Sequence, residues 1–451
     1  MTQPEGFKGV WMRKGDPGFE GAARAHIWNG VQPDRLPDVV AQVADVDDVI
    51  AAVNHARENG LKVTVRGGGH NWACTSMRAG GLLIDLAALN RVVSIDAENR
   101  KAVLEPVISN RQAQAFLRPY GRAFPSGHCP TVKLSGYLLS GGMSWNHGVW
   151  GPGCGSVEAI EMVTADGRLV TASATENPDL FWAARGAGSG QFAIAVRYHL
   201  RLYPLPKIAC TAYSFPLSDA VEVAKWLGPL ADELPPNVEL SLWMLPEGES
   251  GMKCQVTATT FAESYEEAAE AVQPLESCPL MERCTERIFS RPSTFEAIFD
   301  LSGALWPEGL RSRVDAMFSD KPLADLCSAT WEHFAKAPSR QAVYMYAVYT
   351  GGHAPATPAD ASFSMTGRLY GGPWTSWEHA ADDTANTAWH EELVRLMAPY
   401  VHGHYISESS TVDHPEYLET ALAPGVLGRI EEVRKVYDPS GLFFGFHEGL
   451  G

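Results

Sequence analysis

Three consecutive glycines, Gly67-Gly68-Gly69, follow directly on a short apolar run, Val63-Thr64-Val65, and are closed by His70. Few features limit a chain as much. A strand that ends in residues without Cβ atoms can turn sharply and bring its N–H groups close to something else. A pyrophosphate suits that geometry, and His70 would then sit beside whatever the loop holds. The same residues also read as a glycine-rich turn with a partly buried histidine, and three glycines alone do not separate the two.

The surrounding pattern is mixed. Residues 38–44 read as a strand, and Asp45 as the cap of a helix to about Asn59, with Val46, Val49, Ile50 and Val53 on one face and Gly60 as its stop. Segments 61–65 and 81–86 read as strands. Segments 92–95 with 102–105, and 159–163 with 169–172, read as hairpins, the second closed by Asp166-Gly167. A short helix opens at Asn177, and 192–202 returns as a strand. The order is α+β, not the regular alternation of a Rossmann fold. Past Tyr203-Pro204-Leu205-Pro206 the texture changes. Amphipathic helices (219–231, 265–271, 384–397) alternate with strands (256–261, 341–349, 362–369), as a second domain would. The tail, 433–448, reads as a helix end with an apolar cap. A chain of 451 residues accommodates two such domains, one of them discontinuous.

Charge narrows the function. Lys and Arg number 36 against 53 Asp and Glu, a net charge of −17, which argues against a nucleic-acid partner. No apolar run is long enough to span a bilayer, and the first residues, MTQPEGFKGVWMRKG, lack an apolar core. A cytoplasmic enzyme, monomer or homodimer, acting on a small molecule is expected. Eight cysteines without a Cys-x-x-Cys pair predict neither a disulfide framework nor a metal site.

Two further stretches carry chemistry. Phe124-Pro125-Ser126-Gly127-His128-Cys129-Pro130-Thr131-Val132, followed by Gly136 and Gly141-Gly142, puts a cysteine in a loop where a thiolate could react. A buried free thiol is the alternative. Residues 177–182 with 185–192 could wrap an adenosine or pyrophosphate, or form a helix C-cap and turn.

Together, Arg66-Gly-Gly-Gly-His70, Cys129-Pro-x-Val132 with Gly136 and Gly141-Gly142, Asp179-Leu-Phe-Trp182 and Tyr437-Asp438-Pro439 resemble the berberine bridge enzyme-like oxidases of the vanillyl-alcohol oxidase/PCMH flavoprotein superfamily. The resemblance covers residues 33–205 and the C-terminal segment. It implies a PCMH-type, two-subdomain FAD-binding domain over 1–205 and a substrate-binding domain over 206–400, an antiparallel sheet covered by helices. Segment 401–451 would return to the FAD domain. It implies FAD bonded twice, through His70 to the 8α-methyl and through Cys129 to C6, in a cradle of Arg66, Gly67, Gly68, Gly69, Asn71, Val132, Gly136, Gly141, Gly142 and Ile194. Two bonds would fix the ring, leave an open cleft and raise the reduction potential. Valine at position 132 implies an oxidase that passes electrons to O2 and makes H2O2. A bulkier residue there implies a dehydrogenase using a quinone or protein acceptor. Lys133 departs from the glycine usual in the family.

The expected reaction is two-electron oxidation of an alcohol, or of an activated C–H or C–N carbon, in a ring-containing metabolite. Such a substrate also loses a proton, so a base is needed. The family's Tyr-x-Asn-Tyr reads here Tyr405-Ile406-Ser407-Glu408. Glu408, its pKa raised among aromatic groups, or Tyr405 is the expected base, and a solvated Glu408 on a surface strand is the alternative. Tyr137, Met143, Trp145, Tyr344, Tyr346 and Arg368 are expected to line the substrate pocket, with core packing the alternative for Tyr344 and Tyr346 and a surface salt bridge for Arg368; Trp374 and Trp377, in a loop around Gly371-Gly372-Pro373, would stack on a ring or anchor the loop.

Overall fold

The computed structural model describes residues 2–249 and 251–450. Its first sheet has the order Val10–Arg13, Val39–Gln42, Leu82–Asp85, Val63–Arg66, the last three strands running parallel. The helix Val46–Glu58 makes the crossover. Asp45 caps it by accepting the Asp48 N–H, and Asp47 and Asp48 place negative charge at its positive end. Val49, Ala52, Val53 and Ala56 are its buried face. A second, antiparallel sheet follows in the order Val92–Asp96, Lys101–Leu104, Ala193–Arg201, Val157–Thr164, Leu169–Ser173. Both hairpins expected from the sequence are in it.

The third sheet is antiparallel and carries nine strands among the described residues, from Glu286–Ser293 at one edge to Gly403–His404 at the other. The helices Ala220–Leu230, Leu323–Phe334 and Asp383–Met397 bury one face of it, with Tyr213, Leu240, Leu242, Met244, Val256, Tyr344 and Tyr346 in one core. A separate core joins residues from Phe7 to Leu202 with residues from Ile406 to Phe446. The chain therefore leaves the first core, builds the large sheet and comes back. Phe443 pairs with Val63, and Asp438 accepts the Leu442 and Phe443 N–H groups to shape that return. The architecture is α+β. No helix among the described residues is long and apolar enough to cross a membrane.

One expected strand is displaced. Segment 362–369 is mostly irregular, and the strand is Leu369–Trp377, so Gly371-Gly372-Pro373 lies inside a sheet and not in a loop. The glycines are needed there because neighbouring chains press close. A Cβ on Gly371 would fall 1.9 Å from the Met345 carbonyl oxygen, and one on Gly372 2.0 Å from that of Asp315. Glycine that reads locally as a turn is here a close-approach residue.

Candidate active site

The uncovered face of the large sheet meets the first core around two cavities. One, of about 230 Å³, runs along the glycine loop and is lined by Gly67, Gly68, Gly69, His70, Asn71, Lys133, Gly136 and Ile194. The other, of about 840 Å³, lies over the sheet. Trp72, Val132, Tyr137, Tyr405 and Glu408 line both, which places them at the junction.

The glycine loop is held open by its neighbours. A Cβ on Gly68 would sit 2.3 Å from Lys133 Cγ, and Gly69, at φ +65°, has the His26 carbonyl oxygen 2.0 Å from its Cβ position. Among the described residues, the backbone N–H groups from Gly67 to Trp72 donate to no protein acceptor. Half-buried donors that face a cavity are open to a ligand's acceptors. A glycine-walled cleft with free N–H groups fits a dinucleotide's pyrophosphate.

At the junction the two nucleophiles converge. His70 Nε2 lies 3.5 Å from Cys129 Sγ and 3.0 Å from Thr131 Oγ1. The His70 ring stacks on Trp28 at 4.9 Å between centroids. Burial pushes the His70 pKa down to about 4, so the imidazole is neutral near pH 7 and one ring nitrogen carries a lone pair. Burial pushes the Cys129 thiol up, opposed by the Thr131 hydroxyl and by the N–H groups of Thr131 and Val132.

Glu408 lies on a turn after the strand Gly403–His404 and faces the cavity junction, not a solvated surface. Its carboxylate accepts a hydrogen bond from the Tyr370 hydroxyl. Burial raises its pKa, against the pull of Tyr370 and of His128. The turn is tied to the strand system through the Glu408 carbonyl, which accepts the Ala316 N–H at 2.8 Å, and Ser409 Oγ, 2.6 Å from the Ala316 carbonyl oxygen. Tyr405 is buried, and its hydroxyl accepts the Gly142 N–H at 3.2 Å. Burial and then the charge of Glu408 push its pKa above the ordinary phenol value.

Tyr137, Met143 and Trp145 line the larger cavity. Six other expected site residues do not line either cavity. Arg66 is wholly buried behind the loop, 2.8 Å from Asp85 and donating to the Ala22 and Ala23 carbonyls. Gly141 and Gly142 pack under Phe363 and Tyr137 and are absent from the cofactor cleft lining. Tyr344 and Tyr346 point to the helix-covered face, where their hydroxyls meet each other and Thr330. Alternation then puts Met345 and Ala347 into the cavity instead. Arg368 pairs with Asp232 and the Gly352 carbonyl on the outside. Trp374 lines the cavity, whereas Trp377 is buried with its N–H on Asp383.

Glu239, Trp243, Trp306, Tyr349 and Tyr370 also line the cavity. Glu239 bridges two loops of the first core, accepting from His128 Nε2 and from the Asn146 N–H at 3.0 Å. Burial opposes a charge on His128, but the adjacent Glu239 carboxylate outweighs it and the His128 pKa is raised. The alternation Glu239-Leu240-Ser241-Leu242-Trp243-Met244 carries the signal for this strand: its apolar positions go to the helices and the others to the cavity.

The relatives of the chain are FAD enzymes. The FAD binding domain family matches residues 37–173. The FAD-linked oxidoreductase janO of Penicillium janthinellum is 31% identical over 350 residues, 76% of each chain. The FAD-linked oxidoreductase nodO of Hypoxylon pulicicidum is 29% identical over 423 residues, 93% of this chain and 92% of the relative. In structure, 6-hydroxy-D-nicotine oxidase from Arthrobacter nicotinovorans matches with a TM-score of 0.86 over 98% of both chains at 21% identity. Berberine bridge enzyme from Eschscholzia californica matches with a TM-score of 0.80 over 98% of this chain and 96% of that one at 18% identity. The chain belongs to the FAD-linked oxidoreductases of the PCMH fold and is an oxidoreductase enzyme.

Proposed function

We propose that this chain is an FAD-dependent oxidase in which His70 and Cys129 both bond to the flavin, with Glu408 as the base. The observation that carries this reading is the convergence of His70, Cys129, Val132 and Glu408 at one junction of two cavities. Residues 1–205 and 401–451 would form the FAD-binding unit, and 206–400 the substrate-binding unit.

When bound, FAD supplies a two-electron acceptor. The glycine loop offers N–H groups to the pyrophosphate, and Lys133, lying along Gly68, adds a cation at the same cleft. The neutral His70 nitrogen suits bonding to carbon. The substrate, a ring-bearing alcohol or amine, enters over the sheet between Trp72, Trp306, Trp374 and Tyr349. The Glu408 carboxylate takes the proton of the reacting O–H or N–H, and the Tyr370 hydroxyl holds that carboxylate in place. Tyr405, anchored by Gly142, closes the junction and helps to exclude water.

Val132 supports O2 as the final acceptor, reduced to H2O2. Among structural neighbours, the grass pollen protein Phl p 4 is a glucose dehydrogenase, and its isoleucine-to-valine variant is a glucose oxidase. A branched side chain one methylene smaller thus accompanies that change of acceptor.

The test is an intact mass of the denatured protein. One FAD should persist through His70→Ala or Cys129→Ala and vanish in the double variant. A wild-type mass without FAD would overturn the two-bond reading. Peroxide formed under air with a turned-over substrate supports the oxidase, and turnover only with a quinone or protein acceptor would replace it by a dehydrogenase.

A further inference from the structure

The turn that carries Glu408 is held from behind by a buried polar trio. Asp315 lies between the strands Arg311–Val314 and Met317–Ser319. Side chains alternate along this stretch. Val314, Ala316 and Phe318 join the core on the cavity face, and Met317 joins the core under the helices. Asp315 goes with Met317, away from the cavity. There its Oδ2 lies 2.9 Å from His390 Nε2, on the helix Asp383–Met397, and His390 Nδ1 lies 2.8 Å from Thr375 Oγ1. A carboxylate only accepts, so the His390 Nε2–H is the donor. Asp315 is 2% exposed, and His390 and Thr375 are 0% exposed.

The other Asp315 oxygen leaves the trio. Oδ1 accepts the Ser410 N–H at 2.9 Å, two residues beyond Glu408. The Ala316 N–H holds the Glu408 carbonyl, and Ser409 Oγ reaches the Ala316 carbonyl. Three successive residues of the turn are thus tied to two adjacent ones, Asp315 and Ala316. Among the described residues the Glu408 carboxyl has one partner, the Tyr370 hydroxyl. Where that carboxyl sits therefore depends on where the turn is held. A buried carboxylate–imidazole pair is a poor source of stability, because desolvation offsets the attraction. What it supplies here is direction: a charged acceptor binds a backbone N–H more tightly than a neutral one.

We infer that Asp315, backed by His390 and Thr375, is a positioning residue for Glu408: by fixing the Ser410 N–H it keeps the Glu408 carboxyl at the cavity junction and out of water. This rests on the proposed function only in taking Glu408 as the base.

The experiment follows Glu408 itself. Flavin-loaded enzyme is labelled with carbon-13 at the glutamate side-chain carboxyl, and the Glu408 resonance, identified by its loss in Glu408→Gln, is titrated against pH. The wild-type midpoint is expected above the ordinary carboxylate range. Asp315→Leu should lower it by about one pH unit, as the turn opens and the carboxyl gains water. Hydrogen exchange of the Ser410 amide should quicken with it. Asp315→Asn removes the same charge but still accepts the Ser410 N–H, so it should keep at least about half of the elevation. Replacing the trio together, by Asp315→Leu, His390→Leu and Thr375→Val, should shift the midpoint as far as Asp315→Leu does. Thermal stability should then stay close to that of the wild type, because the buried charge and its partner leave together. This variant decides the matter if the single one fails to fold. A wild-type midpoint in the ordinary range, a midpoint or Ser410 exchange unmoved in these variants, or an Asp315→Asn shift as large as that of Asp315→Leu would overturn the positioning role. Full turnover by Glu408→Gln would remove only the base, since the titration does not depend on catalysis.

Discussion

On the cofactor side of the cavity, His70, Cys129 and Val132 arrive from two loops, each written in a short contiguous stretch of chain. On the substrate side, Ser241, Thr257, Ala347 and Tyr370 arrive from four strands spread between Val238 and Trp377, each strand contributing every second residue. The first kind of surface is shaped by local backbone: Gly69 turns at φ +65° because the His26 carbonyl fills its Cβ position. The second is shaped by parity and register, so one step along a strand changes a core residue into a cavity residue. Loop chemistry is readable in a short window, whereas a sheet face is readable only after its two sides are told apart.

The sharpest test of this contrast falls where the two surfaces meet. Glu408→Gln should lower kcat by about 10²–10⁴-fold while flavin content stays unchanged. Because burial raises the Glu408 pKa, wild-type kcat/KM should fall as pH drops through a value above the ordinary carboxylate range. The variant should lack that acid limb. A wild-type profile that is flat on the acid side would remove Glu408 from the role of base.

Behind the glycine loop, Arg66→Met should cost about 3–5 kcal/mol, because Asp85 is left buried without its partner. Denaturant unfolding of the flavin-free protein measures it. Unchanged stability with weakened flavin binding would return Arg66 to the cofactor side.

On the sheet, parity predicts opposite outcomes for neighbours. Met345→Ala should change KM by about tenfold, since Met345 lines the cavity. Tyr344→Phe should leave KM alone and cost about 1 kcal/mol through the lost hydroxyl contact with Tyr346. Steady-state kinetics beside a melting curve separates the two, and the reverse pattern would mean that the strand faces are exchanged.

The smallest effect belongs to Arg368. Its removal should cost less than about 1 kcal/mol, as for an exposed ion pair, and leave KM unchanged. A raised KM would bring it back to the pocket.

The contiguous elements were legible in the chain: the Asp45-capped helix, the two hairpins and the glycine loop all rest on residues within a few positions of one another. Arg66 was harder. Its place in the motif says that it is near the loop, but only the approach of Asp85 on the neighbouring parallel strand turns its side chain inward. Tyr344 and Tyr346 share a face by simple alternation, yet alternation cannot say which face the helices cover. Gly371-Gly372-Pro373 carries every local mark of a turn, and lies in a strand because the Met345 and Asp315 carbonyls press against it.

By itself, the sequence determined the α+β class, the glycine loop with His70, the cysteine loop and the resemblance to flavin enzymes, because turn geometry and short-range spacing are local properties of a chain. Tertiary structure alone decided that His70 and Cys129 come within 3.5 Å, that Glu408 turns into a cavity under Tyr370, and that Met345 and Ala347, not Tyr344 and Tyr346, face that cavity. Those depend on contacts between residues far apart in sequence, whose pairing no local pattern specifies.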